Sequence, residues 1–402
     1  MRTVKRNPLL SGVCAILGGA FLMSGIASAD VASDRPAGLI VIPKLIYDTD
    51  GVLNPAGTFT DTEIQLTNVS EEEVKLRCFY VNANSHCSND PDRVCYTSAD
   101  CQGEPGPGGI CLEGWIETDF EFTMSPRQPL VWRIGEGIFS LPLAAQGLNI
   151  GSIPPVSEDP FMGELKCVQV GPDDAPVDRN DLKGEVSIIN YTASSIDARA
   201  YNAIGIHAIE GANDGDNTLV LGGEEPEYNG CPNVLILNHF FDDAVEPVNG
   251  YSVKTHLTLV PCSQNFELQD IALFDTTAQF LVFNEFEQRF SASRKVRCFK
   301  EYELCTLGTG LDRSLTDSDP SSNSCQFSVF SAFVSGTLAG QTRIRGVDDG
   351  SPIHGNGLLG VAEEFYRSDS EDLGSTVAST ALNLHQAGER ATADIIDLPG
   401  AP

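Results

Sequence analysis

The sequence predicts an all-β protein: two tandem, duplicated antiparallel β-sandwich units of the Ig-like or fibronectin-like class, with a disulfide-stapled loop insertion. Three observations lead to this prediction. Short runs alternate apolar and polar residues, Gly and Pro are frequent (38 and 23 of 402 residues), and one pattern occurs twice along the chain. Alternation with a period of two is typical of half-buried strands, and many short strands bounded by turn residues indicate a sandwich.

Residues 1–29 have the features of a secretory signal peptide. The segment begins with three basic residues, Arg2, Lys5 and Arg6. An uncharged apolar run then extends from Leu9 to Ile26, and Ala27-Ser28-Ala29 supplies the small residues of a cleavage site. We therefore predict an exported protein that is secreted, periplasmic or held at the cell surface.

The strongly acidic composition limits the partners of the chain. The sequence has 56 Asp+Glu against 25 Lys+Arg, a formal charge of −31, and loss of the three basic residues of the signal peptide makes this −34. Such a charge repels phosphate backbones, so we expect no nucleic-acid partner. No second apolar run approaches the roughly 18 residues that a transmembrane helix needs, so we predict no membrane span in the mature chain.

Five short stretches recur in the same order, which predicts two copies of one unit. We expect the first unit at 30–222, a connector at 223–254, and a second, shorter unit at 255–402. The matched stretches are 39–43 with 257–261, 64–68 with 280–284, 75–79 with 295–299, 180–186 with 356–362, and 203–207 with 381–385.

The individual strands of the first unit are predicted from period-two alternation. The runs 62–67, 74–80 and 116–122 each place apolar residues at every second position. The polar stretch 68–73 between the first two runs has the composition of a hairpin connection. No stretch longer than about twelve residues shows helical periodicity with caps.

Eleven cysteines remain after Cys14 leaves with the signal peptide, and in an exported chain they predict disulfides. The spacing does not by itself determine the connectivity. The repeat favours one set of pairs, with Cys298 as the odd thiol. The predicted pairs are Cys78–Cys167, Cys87–Cys111, Cys95–Cys101, Cys231–Cys262 and Cys305–Cys325.

The loop 87–111 contains a short recognisable pattern. Cys95-Tyr96-Thr97-Ser98-Ala99-Asp100-Cys101 is followed by Gly108-Gly109-Ile110-Cys111. This arrangement resembles small cysteine-rich modules of exported bacterial proteins. The resemblance implies a disulfide-bonded surface appendage and nothing about chemistry.

One glycine-rich stretch matches the dinucleotide-binding fingerprint. Gly355-Asn356-Gly357-Leu358-Leu359-Gly360 has the literal GxGxxG spacing. The fingerprint works only where a strand leads into a helix whose N-terminus holds the pyrophosphate. The surrounding pattern predicts a strand instead, so we interpret the glycines as a turn that enters it.

Two acidic loops are candidate calcium sites. Asp48 and Asp50 lie in one loop, and Asp214 and Asp216 lie in another. Ca²⁺ binds six to eight oxygen atoms, which short acidic loops often supply. The alternative is that these residues only form turns, since Asp, Asn and Gly are the usual turn residues. No other cofactor is predicted.

The chain contains no GxSxG elbow, HExxH or P-loop, so we expect a non-catalytic role more than an enzymatic one. The leading prediction is an exported surface, structural or adhesion-type protein that binds a protein or a glycan. The alternative is a secreted carbohydrate-active enzyme or a calcium-dependent carbohydrate-binding module. In that case Trp115, Trp132 and Tyr201 would form a platform on which sugars stack.

Overall fold

Nearly all regular structure in the chain is β-strand, as the alternating sequence predicts. The computed structural model describes residues 31–53, 58–95, 98–102, 108–112, 116–138, 151–191, 195–242, 251–267, 275–308, 328–348, 355–367, 376–391 and 394–400. The predicted signal peptide, Trp115 and Cys325 lie outside the described residues.

The strands are numbered in chain order, and only two short helical segments accompany them in the described residues. The strands are β1 (Leu39–Tyr47), β2 (Phe59–Asn68), β3 (Val74–Asn82), β4 (Ser85–Cys87), β5 (Asp90–Cys95), β6 (Cys111–Leu112), β7 (Ile116–Met124), β8 (Pro129–Arg133), β9 (Phe161–Val170), β10 (Leu182–Tyr191), β11 (Ile196–Asn202), β12 (Ile204–Ile206), β13 (Thr218–Leu221), β14 (Pro232–Phe240), β15 (Ser252–Pro261), β16 (Gln264–Asn265), β17 (Asp275–Asn284), β18 (Arg289–Arg297), β19 (Lys300–Glu303), β20 (Ala339–Asp348), β21 (Leu358–Arg367), β22 (Thr376–Asn383), β23 (His385–Arg390) and β24 (Asp394–Asp397). A 3₁₀ turn covers Leu304–Gly308, and α1 covers Ala332–Ser335.

The first unit consists of two antiparallel sheets that share one core. The five-stranded sheet has the order β12-β1-β9-β3-β7, and the four-stranded sheet has the order β11-β10-β2-β8. Ile42 and Leu76 of the first sheet pack in the same core as Leu66 and Val186 of the second. Alternate residues of each strand supply this core, so the period-two pattern of the sequence defines a β-sandwich.

The second unit repeats the strand order of the first. Its five-stranded sheet is β23-β14-β20-β17-β18 and its four-stranded sheet is β22-β21-β15-β19. The strands of the two units correspond position by position in these orders. β14 occupies the position of β1, for example, and β23 occupies the position of β12. Residues such as Leu237 and Ile344 of the larger sheet share a core with Leu257 and Leu358 of the smaller one. The two units therefore share one strand order.

The strand order corrects three of the five sequence matches. The stretch 39–43 in β1 was matched with 257–261 in β15, but the topology equates β1 with β14 and β2 with β15. The matches of 64–68 with 280–284 and of 75–79 with 295–299 are shifted by one strand in the same way. The match of 180–186 with 356–362 is correct, because β10 and β21 occupy equivalent positions. The false match has a physical cause: β1 and residues 257–261 are both buried on two faces, so both read as continuous apolar runs.

The arrangement of strands differs from that of immunoglobulin constant domains, whose sheets hold strands ABED and CFG. Counting β7 and β8 as the fourth and fifth strands, the pairs β2–β8 and β3–β9 match the B–E and C–F pairs of those domains. However, β1 pairs with β9, and β10 pairs with β2. The fourth strand β7 pairs with β3. The first, fourth and seventh strands therefore lie in the opposite sheet from their immunoglobulin counterparts.

The stretch 223–254, assigned to a connector, contains a central strand of the second unit. β14 lies between β20 and β23 in the larger sheet. The chain end also returns to the first unit, because β24 pairs antiparallel with β13 and parallel with β16. This three-stranded sheet ties the two units together.

The outer face of the first five-stranded sheet is covered by the second unit and by the chain end. Val41 and Phe79 on this face share a second core with Val260 and Ile396. Phe79 stacks on Phe266, with 4.1 Å between ring centroids. Because both faces of the sheet are buried, β1 shows almost no polar alternation.

Four disulfides join described cysteines. The predicted bonds Cys78–Cys167 and Cys231–Cys262 are present. The first joins opposed residues of neighbouring strands in one sheet, with a Cα–Cα distance of 4.1 Å. Cys305 is disulfide-bonded, but its predicted partner Cys325 lies outside the described residues. Cys298 is a buried thiol.

The predicted pairing inside the cysteine-rich loop is wrong. The structure joins Cys87 to Cys101 and Cys95 to Cys111, in place of Cys87–Cys111 and Cys95–Cys101. The strands β5, β4 and β6 form a small sheet there, and the β4–β6 register places Cys87 opposite Cys111. Cys87 of β4 is bonded to Cys101 in the loop between β5 and β6, whereas Cys95 of β5 is bonded to Cys111 of β6. The linear spacing does not reveal this interleaved pairing.

The GxGxxG stretch surrounds a buried carboxylate. Asp394 Oδ1 accepts hydrogen bonds from the Gly357 backbone N–H at 3.2 Å and from Ser263 Oγ at 3.0 Å. A Cβ atom at Gly357 would lie 2.2 Å from Asp394 Oδ2 and 2.6 Å from Cys231 Cβ. The glycines thus allow the backbone to approach Asp394 at the start of β21, which accounts for the motif without a nucleotide.

We expect Gly357→Ala to destabilise the protein by about 1–3 kcal/mol, because Cys231 is clamped by its disulfide and Asp394 is held by hydrogen bonds. Urea unfolding followed by tryptophan fluorescence measures this change. Gly400→Ala is the control, since a Cβ there meets no atom within 4 Å. Equal midpoints for the two variants would contradict the packing described for Asp394.

Candidate functional site

The junction of the two units contains a buried cluster of charges. Lys44 of β1 donates to Glu301 of β19 at 2.7 Å and also pairs with Glu363 of β21. The Nε atom of Arg199, on β11, donates to Glu363 as well. The side chains of Lys44, Arg199 and Glu363 are at most 1% exposed. The first unit supplies the cations and the second unit supplies the carboxylates.

Part of this cluster has the composition of a metal site. The possible ligand atoms of His256, Glu301 and Glu363 lie within 4.8 Å of one another. The Lys44 ammonium group already bridges the two carboxylates, which supplies the positive charge that a metal would bring. Burial acts to raise the pKa of Glu363, but Lys44 and Arg199 outweigh it and lower the pKa to about 2. We therefore interpret the cluster as the electrostatic contact that holds the units together.

The predicted aromatic platform does not form from the described residues. Trp132 is 3% exposed in the first core, where its Nε1–H donates to Tyr80 Oη at 2.7 Å. Tyr201 is 5% exposed, and its hydroxyl accepts from the Lys44 backbone N–H and donates to the Lys44 carbonyl. Trp115 lies outside the described residues. Both placed rings stabilise the interior instead of facing a ligand.

The predicted calcium ligands act as acceptors within turns. Asp48 is buried and accepts from the N–H groups of Val52 and Leu53, at 3.0 and 2.6 Å. Asp50 is exposed. Asp214 accepts from the N–H of Asp216 at 3.0 Å, and Asp216 accepts from the N–H of Thr218 at 2.7 Å. The bonds of Asp214 and Asp216, each to the N–H two residues on, are Asx turns, whereas Asp48 accepts from N–H groups four and five residues on.

The most distinctive exposed surface lies on the outer face of the second five-stranded sheet. We call this surface the basic face and define it by two neighbouring rungs across β14, β20, β17 and β18. One rung is Ile236–Arg343–Leu281–Ser291, and the next is Val234–Arg345–Gln279–Ser293. The inward neighbours of these residues, such as Ile344 and Phe280, lie in the core. Strand alternation therefore directs the rung side chains to solvent.

An open groove of about 630 Å³ runs over the basic face. Its lining combines both arginines with the hydroxyl groups of Ser291 and Ser293 and with the apolar side chain of Val234. A mixture of apolar surface with a few polar groups aimed at one space is typical of ligand-binding surfaces.

The two arginines of the basic face are exposed and have no protein partner among the described residues. Arg343 and Arg345 form no ion pair and no hydrogen bond there. Several other basic side chains are paired with carboxylates, for example Arg179 with Glu72 and Lys75 with Glu121. In a chain of net charge −31, two adjacent guanidinium groups without carboxylates stand out as positions available to an anionic ligand.

Sequence reasoning missed this face, although the sequence contains a signal for it. Residues 289–300 include five basic and no acidic residues, and Arg343 and Arg345 alternate on one strand. Net charge averages over the whole chain and hides such a local reversal of sign. A window of charge read along each predicted strand would have found it.

The chain was also compared with known proteins. A scan against models of protein families gives no match, and a search of the curated proteins gives none either.

The junction cluster predicts a large loss of stability for Lys44→Met. The substitution keeps much of the side-chain volume but leaves Glu301 and Glu363 buried with less compensating charge. We expect a loss of about 3–5 kcal/mol in the free energy of unfolding. Lys183→Met is the control, because Lys183 donates only to the Asp34 carbonyl at an exposed position. A Lys44→Met variant within about 0.5 kcal/mol of the control would show that the cluster is not needed.

The shifted pKa values of several buried acidic residues predict how the stability of the fold depends on pH. Burial raises the pKa of Asp242 to about 7, and that of Asp61 and Asp394 to about 6, above the values of unfolded chains. A raised pKa means that the folded state favours the protonated acid, so stability falls as pH rises from about 4 towards 7. The lowered pKa of Glu363 has the opposite sign, and its contribution is lost as pH falls from about 4.5 to about 2.

Thermal unfolding should therefore show its highest midpoint in mildly acidic buffer, between these two limits. Asp242→Asn should reduce the slope of the midpoint between pH 5 and pH 8, because the group that releases a proton is gone. The slope is informative even if the variant is less stable overall. An unchanged slope would show that Asp242 is ionised in the folded protein throughout this range.

Proposed function

We propose that the chain is an exported, non-catalytic binding protein of the surface or adhesion type, which holds a carboxylate-bearing partner on the basic face. The observation that carries the proposal is the pair Arg343 and Arg345, which are exposed on neighbouring rungs and have no partner in the described part of the chain. Their side chains point away from the core, so they do not stabilise the fold through packing. A ligand with carboxylates would give both guanidinium groups charge-assisted hydrogen bonds.

Export is supported by the signal-peptide features of residues 1–29 and by the disulfide-bonded cysteines, since disulfides persist in oxidising compartments. Among the described residues, no helix has the length and apolar character needed to cross a membrane.

The alternative of a carbohydrate-active enzyme or carbohydrate-binding module has little support among the described residues. Trp132 and Tyr201 are buried, so they offer no stacking surface. Of the acidic residues on β7, Glu117 is 6% exposed and Glu121 pairs with Lys75 at 2.9 Å. A glycosidase needs two carboxyl groups across a cleft, and these residues line one strand.

The proposal predicts that Arg343→Gln/Arg345→Gln loses binding to immobilised poly-L-glutamate and to a polyuronic acid. We expect at least a fivefold weaker apparent affinity at low ionic strength, with wild-type binding weakened at about 0.15 M salt. The control is Arg35→Gln/Arg127→Gln, which makes the same change of net charge at exposed positions of the first unit. Equal retention of the two double variants on both polymers would contradict the proposal.

A further inference from the structure

We infer that the ligand of the basic face is an extended acidic peptide segment, with carboxylate side chains at alternate positions. This inference rests on the proposed function and specifies its partner. The geometric basis is the repeat of the two rungs: Arg343 and Arg345 are two residues apart on β20, and Ser291 and Ser293 are two residues apart on β18.

The pitch of the rungs is that of an extended polypeptide. Side chains on one side of a strand recur at about 6.6–6.8 Å, since the rise per residue is about 3.3–3.4 Å. A peptide that lies along β20 with acidic residues at positions i and i+2 therefore presents its carboxylates at the same spacing as the two guanidinium groups. Adjacent acidic residues would point to opposite sides, and only one of them would reach the face.

The surroundings of the arginines also suit a peptide. Ile236 and Leu281 flank Arg343 on either side, and Val234 and Gln279 flank Arg345 in the same way. Apolar side chains can contact the methylene groups and aliphatic neighbours of a peptide, whereas a phosphate backbone offers them little. Gln279 and the two serines provide donors and acceptors for the peptide backbone.

The charges around the face favour a short acidic segment over a long polyanion. The hairpin between β17 and β18 carries the exposed residues Glu285 and Glu287, and Asp348 ends β20 at the opposite side. Beyond the two rungs, Arg289 and Lys295 alternate with Ser291 and Ser293 on β18 and are exposed, so positive charge is concentrated between these acidic limits. Charges interact over roughly 8–10 Å at moderate salt. Two carboxylates over the rungs are attracted, whereas the part of a longer polymer that extends past them is repelled by the acidic remainder of the chain. A polyanion therefore binds through the rungs, but more weakly than a short segment.

The exposed ring of Phe286, at the tip of the same hairpin, is a further contact for an apolar residue of the peptide. Phe286 is 68% exposed, the second-highest value among the exposed large hydrophobic residues of the described chain. A ring at one end of the rungs distinguishes the two ends of the groove and would fix the direction of the peptide.

The test compares two short, fluorescently labelled peptides of identical composition, with two Glu residues on a Thr/Val background. One peptide has its Glu residues at alternate positions and the other has them adjacent. Fluorescence anisotropy gives the affinity of each peptide for the wild type, Arg343→Gln/Arg345→Gln and the control Arg35→Gln/Arg127→Gln. Circular dichroism of each variant confirms the fold.

We expect the wild type and the control to bind the alternating peptide at least about fivefold more tightly than the adjacent one, and the Arg343→Gln/Arg345→Gln variant to lose this preference. Equal affinities for both peptides, with binding still dependent on the two arginines, would overturn the inference and leave the proposed function standing. Tighter, arginine-dependent binding of the polyuronic acid than of the alternating peptide would also overturn it and identify an acidic glycan. Binding that is independent of both arginines with every probe would overturn the proposed function as well.

Discussion

The arrangement of the two units depends on the buried contact of Lys44 with Glu301 and Glu363. Each of these charges would be costly to bury alone, and each is neutralised by a residue from the other unit. Lys44 and Arg199 come from the first sandwich, whereas both glutamates come from the second. The cluster is satisfied only when the units meet in one orientation, so it specifies that orientation more than it adds stability.

The orientation of the two units explains why the sequence pattern of one sheet differs from that of the others. The first five-stranded sheet is covered on one face by its own sandwich partner and on the other by residues such as Val260 and Ile396. β1 accordingly lacks polar alternation, whereas β9 keeps Glu164 and Lys166, which are buried as an ion pair. Among the described residues, the corresponding sheet of the second unit is covered on one face only. The outer faces of the two units therefore differ: that of the first is buried at the junction, and that of the second is exposed to solvent in the described part of the chain.

The fold class was predictable because strand alternation depends on local burial, which the sequence records residue by residue. The alignment of the two repeats was not predictable. Residues 39–43 and 257–261 are similar because both are buried at the junction of the two units, and they do not belong to equivalent strands. The pairing of Cys87, Cys95, Cys101 and Cys111 depends on the strand register of a small sheet. The spacing of these cysteines in the sequence does not reveal that register. Trp132 and Tyr201 were misjudged as exposed because an aromatic residue on a strand has the same pattern on either face.

The acidic net charge of the chain hid the basic face from sequence analysis, and the same charge makes this face selective. Over the whole chain the net charge is −31, so anions in general are kept at a distance by long-range repulsion. Arg343 and Arg345 reverse the sign only within about one Debye length of β20. An anionic partner can therefore be held only where it places its charges over the rungs and its apolar atoms against Val234 and Leu281. Because the attraction is local and the surrounding chain repels anions, a partner must place its negative charges at the right positions as well as carry them. A specific binding surface needs this property.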